Sequence, residues 1–149
     1  MKVQFLFTCL VVLFAIATAK PLKERGIAGD LVKTVKKLLF HGIGTFFDPV
    51  TEGGAQGACG PYADKHSQIV AMNRHQYGNM NKKSHWCGKK LKICHKNKCT
   101  IATVTDACPE CDEGCLDLTP AVWGQLETDF KKGIIPIEWE EYKGGDDDE

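Results

Sequence analysis

Two aspartates in the second half of the chain carry the groups that sugar chemistry uses. Asp106 follows the run Val-Thr, and Asp117 lies in Leu-Asp-Leu-Thr-Pro. An inverting glycoside hydrolase holds an acid and a base roughly 6.5–9.5 Å apart, with room for a water molecule. A half-buried carboxyl group without such a partner can still hydrogen-bond sugar hydroxyls, or protonate where it is poorly solvated. Both aspartates are therefore candidate site residues.

The cysteines offer a second kind of chemistry. Those beyond the first 19 residues are Cys59, Cys87, Cys94, Cys99, Cys108, Cys111 and Cys115. The last three, with His85 and His95 elsewhere, could indicate zinc or redox chemistry, but one Cys-x-x-Cys motif is a weak signal without a second ligand pair. Structural disulfides are the main prediction, and the odd count leaves at least one thiol free or paired with another molecule. We expect no metal and no cofactor.

The first 19 residues have the pattern of a secretory signal peptide. A lysine at position 2 precedes an apolar run over 5–16, and Ala-Thr-Ala at 17–19 is typical of a cleavage site. The run is too short for a membrane span, and no later run is long enough. We therefore expect residues 1–19, including Cys9, to be removed. The product should be a secreted, soluble, extracellular monomer.

The charges are balanced overall but unevenly distributed. Residues 20–40 carry a net charge of +4, residues 41–105 carry +6, and residues 106–149 carry −11. This pattern is typical of a solvated dipolar surface, and it also fits a basic face that meets acidic wall polymers. Export and neutral total charge argue against nucleic-acid binding.

Two flanking segments differ from the rest of the chain. Residues 20–41 contain apolar side chains at helical spacing after Asp30, with lysines on the other side, and predict an amphipathic helix or a pro-segment. Such a helix could pack on the domain, be removed, or bind a surface. Residues 143–149 predict a disordered acidic tail.

The region between these segments, residues 42–142, has the pattern of a small all-β domain. The predicted strands are 42–47, 68–72, 90–94, 99–105 and 134–141, separated by turns rich in Gly, Asn, Asp and Pro. One short helix is predicted, with Thr119 as its cap, Pro120 in its first turn, and an apolar face that includes Trp123. Many short strands with one helix favour a small barrel.

Eight short segments occur in an order that is specific as a set. They are 44–49 (Gly-Thr-Phe-Phe-Asp-Pro), 57–60 (Gly-Ala-Cys-Gly), 69–73, 76–78, 87–89, 104–111 (Val-Thr-Asp-Ala-Cys-Pro-Glu-Cys), 116–120 (Leu-Asp-Leu-Thr-Pro) and 133–139. Over residues 42–141 this series resembles the RlpA-like double-psi β-barrel family, especially its small secreted members near loosenins, expansin first domains and barwin-like proteins. The resemblance implies a closed six-stranded barrel with a polar groove across one face.

In expansins that groove binds cell-wall glucans and loosens them without hydrolysis. The resemblance places Thr45, Asp106 and Asp117 in the groove, and Asp117 resembles the essential carboxylate of expansins and the general acid of related endoglucanases. Bacterial expansins have an aromatic residue where this chain has Cys108. The resemblance does not extend to the second expansin domain, so we do not expect strong cellulose binding.

The resemblance and the local sequence also suggest roles for neighbouring residues. Expansin-like pairing would join Cys59 to Cys87, Cys94 and Cys99 could clasp a hairpin, and one pair would form among the last three cysteines. Tyr77 and Trp86 are candidates for the groove edge, where an aromatic ring can stack on a sugar; Trp86 could instead pack against the Cys87 bridge. Trp123 and Trp139 are expected in the core.

Three functions remain open from the sequence. The first is a non-catalytic loosenin-like protein that binds glucan, chitin or peptidoglycan through the groove. The second is an inhibitor of papain-like cysteine proteases or a host-interacting effector, which would use exposed loops such as 51–57 and 82–86. The third is a weak hydrolase with Asp117 as acid. Asp48, the nearest candidate base, is offset by one residue from the endoglucanase pattern and precedes Pro49, as a turn residue would. Asp117 could also simply cap the following helix.

Overall fold

The computed structural model describes residues 38–144. The predicted signal peptide, nearly all of the segment 20–41 and most of the acidic tail lie outside the described residues. The six strands are Phe40–Phe46 (β1), Ile69–Asn73 (β2), Lys90–His95 (β3), Lys98–Cys108 (β4), Leu116–Leu118 (β5) and Ile135–Tyr142 (β6). The helices are Arg74–Tyr77 (α1) and Pro120–Leu126 (α2), and Phe130–Lys132 forms a 3₁₀ turn.

The strands form a closed barrel in the order β1-β5-β2-β4-β3-β6. The pairs β1–β5 and β2–β4 are parallel, and the other four pairs are antiparallel. Closure leaves no strand edge unpaired, which removes the tendency of an open sheet to pair with other chains. The six-stranded all-β barrel predicted from the sequence is confirmed. None of the helices within residues 38–144 has the length and apolar character needed to cross a membrane.

The predicted elements agree with the structure, with three additions. The helix after Thr119 is confirmed, with Pro120 in its first turn and Trp123 on its buried face. Strand β5, the four-residue helix α1 and the 3₁₀ turn were not predicted from the sequence pattern. Each addition is only three or four residues long, which is too short for a hydrophobic period to show.

The barrel interior follows the alternation of side chains along the strands. Leu91 and Ile93 are fully buried, as their spacing predicts, and Trp123 and Trp139 are 0% and 1% exposed. Trp139 stacks on Phe40 with ring centroids 4.4 Å apart. Thr105, which follows the buried Val104, is buried as well, because the loop after residue 55 packs over this part of β4.

Two glycines allow β1 to approach the chain that leads into β5. A Cβ atom on Gly42 would overlap the carbonyl group of Gly114, and a Cβ atom on Gly114 would overlap the carbonyl oxygen of His41. Gly114 also has φ +81°, a conformation that glycine adopts at low cost. Its carbonyl oxygen accepts a hydrogen bond of 2.7 Å from the Trp139 indole. Gly114, just before β5, therefore contacts both β1 and β6.

Gly42→Ala should destabilise the barrel by about 2 kcal/mol or more, because the backbone must move to admit the methyl group. Gly124→Ala is the matched control: Gly124 lies inside α2, where a Cβ atom would meet only the Phe130 ring at 3.9 Å. Alanine in a helix interior is favoured over glycine by about 1 kcal/mol. Urea unfolding should therefore show a loss of stability for the first variant and a gain for the second. Equal effects of the two substitutions would contradict the close approach.

Candidate functional site

The candidate site is a row of outward-facing residues across four adjacent strands. Thr45 on β1 pairs in register with Asp117 on β5, Asp117 pairs with Ala71 on β2, and Ala71 pairs with Asp106 on β4. Neighbouring strands are about 4.8 Å apart, so the Cα atoms of the two aspartates are separated by about 10 Å. The structure thus brings the three predicted groove residues Thr45, Asp106 and Asp117 into one row.

Asp117 faces outward because its neighbours face inward. Leu116 and Leu118 are both 0% exposed, and side chains alternate between the two faces of a strand. The position before α2 that caps a helix belongs to Thr119, whose hydroxyl donates instead to the carbonyl oxygens of Ser67 and Ile69. Asp117 therefore lies within β5 and does not cap the helix, so that alternative prediction is wrong.

The environment of Asp117 favours its neutral form. Burial removes water from the carboxylate and raises its pKa above the ordinary value, and the nearby carboxylates of Glu52 and Asp106 raise it further. A hydrogen bond of 2.7 Å from the Thr45 hydroxyl stabilises the charged form and opposes this shift. The net effect is a pKa of Asp117 above its ordinary value, with burial as the main cause.

Asp106 has a structural role in addition to its place in the row. Its Oδ1 atom accepts hydrogen bonds of 2.8 Å from the backbone N–H groups of Ala58 and Ala107. The Cys59 N–H donates to the carbonyl oxygen of Thr105 at 3.0 Å, so two successive residues of the loop before β2, Ala58 and Cys59, are bonded to β4. One carboxylate oxygen of Asp106 thus holds this loop beside the row.

The turn after β1 contributes a carboxylate that the sequence analysis did not identify. Asp48 accepts a hydrogen bond from the Val50 N–H at 3.0 Å, and its carbonyl oxygen accepts from Thr51 and Glu52, so Asp48 is a turn residue. Glu52 accepts from the Asp48 N–H at 2.8 Å and lies close enough to Asp117 to raise its pKa. No motif marks Glu52, because it lies on an irregular turn.

Tyr77 and Trp86 are not at the groove edge. Tyr77 is 2% exposed and its hydroxyl lies 3.7 Å from the sulfur of Cys87. Trp86 is 8% exposed and packs edge-on against Phe40 and Trp139. Both rings belong to the buried core cluster beside the Cys59–Cys87 bridge, so neither presents a face on which a sugar could stack.

The predicted cysteine pattern is confirmed. Disulfides join Cys59 to Cys87, Cys94 to Cys99, and Cys108 to Cys111. Cys115 is the free cysteine of residues 38–144. Within the same residues, no group of three or more His, Cys, Asp or Glu side chains is arranged to hold a metal ion.

The raised pKa of Asp117 predicts a pH-dependent effect of Asp117→Asn. A carboxyl group whose folded pKa exceeds its unfolded value near 3.8 favours folding when protonated. That stabilisation is fully present below the unfolded pKa and is lost as the pH rises through the folded pKa. As the pH rises from the unfolded pKa through the folded pKa, the wild type should lose stability and the variant should not. The unfolding free energy of the variant minus that of the wild type should therefore increase over this range and stay constant above it. Urea titrations from pH 3 to pH 8 would measure it, and a decrease over the same range would contradict the assignment.

The chain is similar in sequence to ripening-related proteins. No protein-family profile matches the chain. A ripening-related protein, grip22, from Vitis vinifera is 29% identical over 108 residues, which cover 62% of this chain and 47% of that protein. Putative ripening-related protein 6 from Oryza sativa subsp. japonica is 27% identical over 100 residues, covering 62% and 58%. The chain therefore spans about half the length of these curated relatives.

Solved structures share the barrel. The apo expansin of Clavibacter michiganensis superposes with a TM-score of 0.61 at 26% identity, over 72% of this chain and 52% of that one. A mutant of that expansin in complex with cellohexaose gives 0.61 at 24% identity with the same coverage. A Streptomyces papain inhibitor gives 0.60 at 25% identity, over 70% of this chain and 94% of the inhibitor. The sequence motifs, the closed barrel and these neighbours identify the chain as a double-psi β-barrel protein with the fold of the expansins and of this papain inhibitor.

Proposed function

We propose that the protein is secreted and binds neutral cell-wall polysaccharide in the groove formed by Thr45, Asp117 and Asp106, loosening the polymer without hydrolysing it. The observation that carries the proposal is the hydrogen-bonded pair Thr45–Asp117, placed in one row with Asp106. The signal-peptide pattern and three disulfides support secretion. The neighbouring expansin whose structure contains cellohexaose supports a sugar ligand.

The chemistry of the pair suits sugar hydroxyl groups. The Thr45 hydroxyl can both donate and accept, and Asp117 accepts hydrogen bonds when ionised and donates one when protonated. A polymer chain in the groove would exchange some of its hydrogen bonds to neighbouring chains for bonds to these two side chains. Such an exchange weakens contacts between polymer chains and breaks no covalent bond.

The other carboxylates favour binding over hydrolysis. A hydrolase needs a second carboxylate free to activate a water molecule. Asp106 bonds two backbone N–H groups, the Asp48 carboxylate is held in its own turn, and Glu52 accepts a hydrogen bond from the same turn. Each of these groups uses one of its oxygens to hold the local backbone, and binding without hydrolysis is therefore the function that we propose.

The charge of the groove favours a neutral polymer. The carboxylates of Glu52 and Asp106 both raise the pKa of Asp117, so the three groups form one negative region. An acidic polymer would add like charge to this region, which disfavours binding. Glucan or chitin therefore fits the groove better than polyuronates or peptidoglycan, whose peptides carry carboxylates.

A second candidate function rests on the papain inhibitor, because the chain covers 94% of that protein. A protease inhibitor would use loops that stand away from the groove. Both loops considered in the sequence analysis are accessible: residues 51–54 and the side chains of Lys82, Lys83 and His85 are exposed. Inhibition of papain would be unaffected by Asp117→Asn, which separates this candidate from the polysaccharide function.

Asp117→Asn and Thr45→Val should each weaken binding to cellulose or chitin by about tenfold, because each removes part of a hydrogen-bonding pair that includes a charged group. Glu138→Gln is the matched control, since Glu138 lies on β6 outside the row and 4.0 Å from His41. Binding would be measured by pull-down of the secreted full chain on cellulose, chitin, polygalacturonate and peptidoglycan. Reducing sugar would be assayed in the same tubes.

The expected result is binding to a neutral polymer without release of reducing sugar, weakened in the two groove variants and unchanged in Glu138→Gln. Release of sugar that depends on Asp117 would replace loosening with hydrolysis. No binding to any of the four polymers would overturn the proposal, and papain inhibition would then be the function to test.

A further inference from the structure

Tyr62 has the largest exposed fraction of any aromatic side chain within residues 38–144. It is 77% exposed, whereas Tyr77 and Trp86 are buried and Phe130, the next most exposed ring, is 41% exposed. A single exposed ring is common on protein surfaces. The position of this one in the fold distinguishes it, because it lies on a fixed loop beside the candidate groove.

The loop that carries Tyr62 is held in one conformation. Tyr62 forms an isolated β-bridge with Gln56, and the Gly57 N–H donates to the Pro61 carbonyl oxygen at 3.1 Å. The Gln56 side chain donates to the carbonyl oxygen of Gly60 at 2.9 Å. The Cys59–Cys87 disulfide fastens the centre of the loop to the chain before β3. The backbone of Tyr62 is therefore fixed although its ring is exposed.

The same loop lies against the Asp106 end of the row. Ala58 donates to Asp106, and Gly57 packs so closely on β4 that a Cβ atom there would lie 3.2 Å from the Cβ atom of Asp106. Because Tyr62 bridges to Gln56, the residue before Gly57, it is separated from the contact with Asp106 by one β-bridge and one residue.

On its other side Tyr62 is followed by Ala63, which packs against the strand between the two aspartates. Ala63 packs in a small cluster with Phe47, Ile69 and Ala71, and Ala71 is the residue that separates Asp117 from Asp106 in the row. Tyr62 therefore stands next to the end of the row opposite Thr45. Exposed aromatic faces at the candidate groove edge, expected at Tyr77 and Trp86, are absent at those two positions.

We propose that Tyr62 is a stacking subsite of the groove, which holds a sugar unit of the polymer beyond the unit bonded by Thr45 and Asp117. This inference rests on the proposed function. The apolar C–H face of a pyranose ring can pack on the tyrosine ring, while the phenol hydroxyl stays in water. Because the loop is already fixed by its disulfide and hydrogen bonds, little backbone entropy is lost on binding.

The test uses the secreted full chain and three substitutions. Tyr62→Ala removes the ring, Tyr62→Phe keeps it without the hydroxyl, and Ile134→Ala removes a comparably exposed apolar side chain before β6. Calorimetry with cellohexaose and chitohexaose, and with their dimers, would give the affinities. Thermal unfolding would show whether the fold is intact, and we expect all three midpoints to match the wild type because the replaced side chains are exposed.

Tyr62→Ala should weaken binding of the hexasaccharide by about three- to tenfold, the range of one aromatic contact. Tyr62→Phe and Ile134→Ala should bind as the wild type does. The dimers should bind Tyr62→Ala and the wild type equally, since they are too short to span both the Thr45–Asp117 pair and Tyr62. This combination supports the subsite.

Two other outcomes are distinguishable from it. If Tyr62→Ala binds the hexasaccharide as the wild type does while Asp117→Asn binds it more weakly, the subsite is overturned and the proposed function stands. If the wild-type protein binds neither the oligosaccharides nor the four polymers, the proposed function fails and the subsite fails with it.

Discussion

Strand β5 has only three residues, yet it must pair with β1 on one side and with β2 on the other for the barrel to close. The burial of Leu116 and Leu118 fixes its register, because a slip of one residue would turn both leucines outward and Asp117 into the core. Burial of Leu116 and Leu118 therefore also places the Asp117 carboxylate beside Thr45. The close approach of Gly42 and Gly114 depends on the same closure, since any side chain there would push β1 away from the start of β5.

Asp117 is held between two opposing effects. Partial burial and the neighbouring carboxylates disfavour its charge, whereas the Thr45 hydroxyl stabilises it. A carboxyl group donates a hydrogen bond when protonated and accepts when ionised, and the hydroxyls of the proposed sugar ligand also do both. A fully solvated aspartate would exchange bonds with water instead. The fixed loop at residues 55–63 lies beside the Asp106 end of the row, so the groove is largely shaped before a ligand binds.

Much of this arrangement could be predicted from the sequence, for physical reasons that differ between residues. The order of motifs, through the family resemblance, predicted the closed barrel, the shared face of Thr45, Asp106 and Asp117, and the Cys59–Cys87 bridge. The short spacing predicted Cys94–Cys99, whereas the choice of Cys108–Cys111 among the last three cysteines was left open. Strand β5 was not predicted because three residues are too few to show the alternation of side chains along a strand. Trp86 was misplaced because a polar sequence neighbourhood does not reveal that the ring belongs to the buried core cluster. Glu52 and Tyr62 lie on irregular loops, whose position depends on long-range hydrogen bonds that spacing does not encode.

If the outward row on β1, β5, β2 and β4 binds the polymer, NMR chemical-shift mapping will locate the ligand there. Cellohexaose or chitohexaose would be titrated into the isotope-labelled protein. Amide shifts should concentrate at residues 44–46, 70–72, 106–107 and 116–118 and at the loop 56–63, and the Asp117 carboxyl carbon should shift as well. Residues 136–138 on β6 should stay unchanged. Shifts confined to the loops 51–54 and 82–85, or absent at saturating ligand, would contradict it.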